Sequence, residues 1–79
     1  MQQIRQLVTE IAKALVDDSE AVSVEVVEGR EVVIFQLSVA PEDVGKVIGR
    51  EGRTAQSIRT ILVAAGMKMH QRYYLEILE

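Results

Sequence analysis

Residues 21–39, "AVSVEVVEGREVVIFQLSV", carry apolar side chains at alternate positions on both sides of a four-residue break, Glu28-Gly29-Arg30-Glu31. This period of two, dense in β-branched residues, predicts two strands joined by a tight turn, with Gly29 supplying the positive φ. Val22, Val24 and Val26 share one face of the first strand, opposite Ser23 and Glu25. On the second strand Val33, Phe35, Leu37 and Val39 form one face, and Val32, Ile34, Gln36 and Ser38 the other. That second face is half apolar and reads either as a partner surface or as two aliphatic residues covered by their neighbours. A small sheet with one strongly apolar face calls for helices packed against it.

The rest of the chain supplies them. Residues 2–16 place Ile4, Leu7, Val8, Ile11, Ala12 and Leu15 at the spacing of an amphipathic helix. "DDSE" at residues 17–20 follows as a polar turn. "APEDVGKVIG" starts a second helix: Pro41 suits a first turn, and Glu42 and Asp43 suit the positive end of its dipole. Val44, Val47 and Ile48 give its apolar stripe. A third helix runs from about Arg53 to Ala65, with Ala55, Ile58, Ile61, Leu62 and Ala65 inward and Gly66 ending it in the left-handed conformation. Residues 68–78 alternate as a last strand, with Tyr73, Leu75 and Ile77 against Tyr74, Glu76 and Leu78. The expected architecture is α+β in the order αββααβ, a three-stranded sheet with helices on one face, in one domain spanning residues 1–79.

Composition removes several function classes. The chain has no cysteine, so thiolate chemistry and disulfides are excluded, and one histidine, His70, does not make a metal site of the usual kind. There is no Ser-His-Asp or Cys-His set, which argues against an enzyme, and no cofactor is expected. The start "MQQIRQLVTE" lacks a signal-peptide pattern, and the longest apolar run, residues 61–67, is too short to span a membrane. A cytoplasmic protein is expected. The net charge is −3, but it is unevenly spread. Residues 1–44 hold three basic against nine acidic side chains, whereas residues 45–72 hold six basic side chains against Glu51 alone. This reads as a basic footprint on an acidic body.

The footprint centres on "VGKVIGREGRTAQSIRTIL", residues 44–62. Glycine inside a helix costs roughly 1 kcal/mol relative to alanine. Gly49 sits where a helix cap needs positive φ. Gly52 leaves backbone bare just before a helix start, whose free N–H groups favour an anion. Arg50 and Arg53 flank it, with Lys46 one turn earlier; Gly45 reads as permitting close helix packing. These are the ingredients of a phosphate-contacting loop. The spacing of a nucleotide-binding P-loop is missing, and a dinucleotide fingerprint would need to follow a strand, not a helix.

The remaining pattern, an apolar residue followed by I-G-x-x-G and a later Ile, is met by Val47, Ile48, Gly49, Arg50, Glu51, Gly52 and Ile58. It resembles the signature of KH domains, the K-homology RNA-binding fold. With the order αββααβ it resembles the type II form along the whole chain, and the small stand-alone bacterial KH proteins of the KhpA type. The resemblance implies a loop that clamps the backbone of about four single-stranded RNA nucleotides. By position the RNA-contacting set would be Lys46, Ile48, Gly49, Arg50, Glu51, Gly52, Arg53, Ala55, Gln56 and Arg59. It also implies a base groove between the helix after the loop and an edge strand, walled by Ile48, Ala55, Ile58 and residues of the second strand. Ile48, Ala55 and Ile58 read equally as core, and Arg59 as a solvated helix residue. His70, Arg72, Tyr73 and Tyr74 would extend the surface, or Tyr73 would be a sheet residue.

Glu51 puts a carboxylate in the clamp, which Arg50 would offset. Low-specificity, salt-sensitive RNA binding by a chaperone or adaptor is expected. The other reading is a KH-fold protein-interaction or ribosome-assembly module. The resembled family further implies self-pairing, or pairing with a larger KH protein of the KhpB (Jag) type.

Overall fold

A computed structural model describes residues 2–79. The hairpin forms as expected: β1 (Ser23–Glu28) runs antiparallel to β2 (Val32–Ser38), with Val24 opposite Leu37 and Val26 opposite Phe35. The Gly29 N–H donates to the Val32 carbonyl at 2.8 Å, leaving Arg30 and Glu31 as the connection. Gly29 does not take the expected positive φ. What it contributes is room, since a Cβ there would stand 3.1 Å from the Val32 carbonyl oxygen.

The third strand, β3 (Arg72–Ile77), pairs parallel with β2, placing Tyr73 opposite Val33 and Leu75 opposite Phe35. A parallel neighbour needs a crossover, and α2 (Val44–Ile48) and α3 (Arg53–Lys68) make it. The strand order is therefore β1-β2-β3, with β2 central and β3 at the edge.

One face of this sheet meets the helices. Val24, Val33, Phe35, Leu37, Tyr73 and Leu75 are buried with Val8 and Ala12 of α1 (Gln2–Leu15), Val47 of α2, and Ile58 and Leu62 of α3. Phe35 and Tyr73 meet edge to face at 5.3 Å, the favoured geometry for two ring quadrupoles. The helical stripes are narrower than the sequence pattern suggests, because Leu7, Leu15 and Ile61 stay exposed. On the opposite face, register puts Val27, Ile34 and Tyr74 in one row across the three strands. Beside that row the Gln36 amide donates to Glu76 at 3.0 Å.

Gly66 does not end α3. It is buried within the helix, which continues to Lys68, and a Cβ there would overlap the Gln71 carbonyl. The chain reverses one turn later. The His70 N–H donates to the Met67 carbonyl and the Gln71 N–H to the Gly66 carbonyl, the paired bonds of a Schellman motif. His70, at φ 58, holds the left-handed position that glycine usually fills. The last strand accordingly starts at Arg72 rather than Lys68.

Candidate nucleic-acid interface

The two glycines of the loop have different tasks. Gly49 has φ 80 and ψ 171, a region essentially reserved for glycine. Its N–H closes α2 on the Gly45 carbonyl at 2.9 Å, and a Cβ would overlap Thr54 at the start of α3. Gly49 therefore shapes the corner between the helices. Gly52, at φ 75 and ψ 12, caps the start of α3, and among the described residues nothing lies within 4 Å of where its Cβ would be. It leaves backbone open to approach. Between them Glu51 is left-handed at φ 58 and ψ 26. Gly45 is exposed with open space around it, so close helix packing is not its reason.

The basic residues are also unequal. Arg50 is exposed and makes no ion pair among the described residues. Arg53 pairs with Glu51 at 3.2 Å, both largely exposed, so Arg53 rather than Arg50 offsets the Glu51 carboxylate. Lys46 stands 3.4 Å from both Asp17 and Asp43. Hydrogen bonding to Asp17 first, then to Asp43, raises its pKa.

Asp43 does more than face a helix dipole. Its side chain is 1% exposed, and Oδ2 accepts the Asp18 N–H at 3.0 Å. Oδ1 is buried and faces the Lys46 ammonium at 3.4 Å. The Asp18 N–H foremost lowers the Asp43 pKa, against the opposing effect of burial; the Asp17 amide and Lys46 add to it. Asp43 thus ties the loop after α1 to the turn that begins α2, the helix carrying Gly49.

Arg59 marks the groove beside α3. Its Nε donates to the Leu75 carbonyl at 3.4 Å, and its guanidinium lies 5.7 Å over the Tyr74 ring. The strand facing this side of α3 is therefore β3. The second strand is central and does not form the edge-strand wall expected of it. Ala55 and Ile58 are buried, whereas Ile48 is half-buried and Gln56 exposed. Further along, Val32, Val63, Met67, Gln71, Arg72, Tyr73 and Tyr74 line a cleft of about 400 Å³. Val63 and Met67 escape a reading of the sequence because nothing in a helical period distinguishes an exposed groove side chain from a solvated one. Among the described residues no His, Cys, Asp or Glu cluster suits a metal, and no helix is long and apolar enough to cross a membrane.

Helix, hairpin, two helices around a glycine loop, and a parallel third strand define a single type II KH domain. A sequence model of the KhpA/KhpB KH domain matches residues 5–77, and the chain belongs to that family. It is 52% identical over 73 residues to the RNA-binding protein KhpA of Caldanaerobacter subterraneus subsp. tengcongensis, covering 92% of this chain and 97% of that one. It is 46% identical over 79 residues to the RNA-binding protein KhpA of Aquifex aeolicus, covering all of both. Among solved structures it resembles a point variant of Aquifex aeolicus Era bound to GDP and aluminium fluoride, with TM-score 0.68 and 17% identity. It likewise resembles Era in complex with MgGDPNP and nucleotides 1506–1542 of 16S ribosomal RNA, also with TM-score 0.68 and 17% identity. The likeness covers 95% and 94% of this chain but only 29% and 28% of those, and it speaks for the fold alone.

Proposed function

We propose that this protein binds single-stranded RNA by its backbone at Gly49–Gly52, as a non-enzymatic chaperone or adaptor in the cytoplasm. The observation that carries this reading is the open backbone at Gly52 between exposed Arg50 and Arg53, at the start of a 16-residue helix. The free N–H groups of a helix start favour an anion, and the two guanidinium side chains that flank this one can add charge-assisted hydrogen bonds to a phosphate. The naming of family members as RNA-binding proteins supports the same reading. Ile48, Gln56 and Arg59 are the proposed contacts along the strand, with Ala55 and Ile58 holding the helix from beneath. Lys46 is a reserve charge, engaged by two carboxylates in the free protein.

One loop contacts about four nucleotides, so affinity is modest, and pairing with a second KH protein raises it by avidity. The apolar row Val27, Ile34 and Tyr74 on the uncovered sheet face supports a further protein-contact role. A fluorescence titration with a four-nucleotide RNA tests the clamp. Arg50 and Arg53 predict a log–log salt slope of about −1.4, at about 0.7 per phosphate on a single strand. A salt-independent signal would count against it. Sedimentation of the free protein tests self-pairing separately.

A further inference from the structure

A second basic site stands at the other end of α3. Arg30 from the β1–β2 connection, His70 from the α3–β3 connection and Arg72 at the start of β3 line an open cavity of about 420 Å³, completed by Glu31, Met67 and Gln71. The 16 residues of α3 put it roughly 24 Å along the helix from the glycine loop, at 1.5 Å per residue.

Three features of this end of the molecule bear on a ligand. Neither Arg30 nor Arg72 has a carboxylate within ion-pair distance among the described residues, although Glu31 shares the cavity. His70 is held left-handed, a conformation that only Glu51 shares among the described non-glycine residues. That conformation belongs to the cap of α3, and it places the imidazole at the cavity wall. The cavity also shares Met67, Gln71 and Arg72 with the apolar cleft, where the half-exposed Tyr74 ring faces the Arg59 guanidinium.

We propose that Arg30, His70 and Arg72 form a second phosphodiester-binding site for the same RNA strand, an inference that rests on the clamp reading above. The two guanidinium forks each suit a phosphate, the imidazole and the Gln71 amide add donors, and Tyr74 offers a base a stacking surface. The Tyr74 ring, against Arg59 and in one cleft with Arg72, favours a polymer carrying bases over a free anion. A strand of about four nucleotides occupies the clamp alone, and a longer one gains the far site.

The test compares labelled single-stranded RNAs of about four and about twelve nucleotides, read by fluorescence anisotropy. The site variant is Arg30→Ala with Arg72→Ala. The control, Arg5→Ala with Lys13→Ala, removes the same charge from α1. All four side chains are exposed, so both variants should fold. Longer RNA offers more registers, so each variant is judged against wild type on the same RNA. The site variant should bind the long RNA about tenfold more weakly, with a salt slope shallower by about 1.4, and match the control on the short one. His70→Gly should raise the melting temperature while weakening long-RNA binding.

Equal losses at both lengths, no loss at either, or the same long-RNA loss in the control would overturn the second site and leave the clamp standing. If wild type binds neither RNA, the clamp reading itself has failed. Inorganic phosphate shifting Arg30 and Arg72 resonances without any length-dependent loss would assign a free-anion pocket and overturn the RNA site.

Discussion

Glu51 combines two disadvantages in one residue, a left-handed backbone and a carboxylate beside the proposed phosphate path. Its ion pair with Arg53 is exposed, and exposed pairs are worth about 0.2–1 kcal/mol. Glu51→Gly relieves the backbone and frees Arg53. RNA affinity should rise by up to about fivefold, the upper end of that energy converted to a binding ratio, as read by titration at low salt. The glycines on either side should respond unequally to alanine. Gly49→Ala meets both a glycine-only conformation and Thr54, and should destabilise by about 2–3 kcal/mol in urea unfolding. Gly52→Ala meets open space at a left-handed φ, so about 1–2 kcal/mol is expected. Equal losses at the two positions would contradict the division of tasks between them.

At the scale of elements, α2 is only five residues long, too short to hold itself in place by its own hydrogen bonds. Val47 anchors it in the core, and Asp43 ties its first turn to the Asp18 amide. This tie has a pH signature. A lowered folded pKa means that the Asp43 contribution is complete above the ordinary carboxylate value of 3.8 and is lost as pH falls through the lowered one. Lys46, with a raised pKa, contributes fully below 10.5 and loses its contribution as pH rises beyond that. Asp43→Asn should lower the melting temperature at neutral pH and flatten the acid limb of a stability–pH profile. A parallel downward shift of the whole profile would contradict the assignment.

The elements themselves were legible in the sequence because each is a local period. The alternation from Val22 to Val39, the stripe from Ile4 to Leu15 and the glycine loop all read correctly in kind and order. Tertiary partners were not legible. Asp43 meets Asp18 across 25 positions, and a local pattern offers only the helix dipole as its role. Gly66 looks like a cap in the sequence because the Gln71 carbonyl that requires it lies beyond the helix. The groove strand is misassigned for the same reason: strand order follows from the crossover, which no single strand records.

At the scale of the molecule, a chain of 79 residues has a total stability of roughly 4–12 kcal/mol at 0.05–0.15 kcal/mol per residue. Phe35 is fully buried at the centre of β2 and packs on Tyr73. Phe35→Ala should cost about 3–5 kcal/mol, a large share of that total, and a urea midpoint would measure it. The acidic first half repels RNA at long range, so the basic segment after residue 44 must act at close range.

The central claim is that the loop, and not the general charge of the surface, holds the RNA. The most direct measurement is a titration of short single-stranded RNA against Arg50→Asp with Glu51→Asp, both exposed positions, with circular dichroism and melting temperature recorded alongside. Loss of measurable binding with the fold retained is the predicted result. A folded double variant that binds as well as wild type would contradict the account.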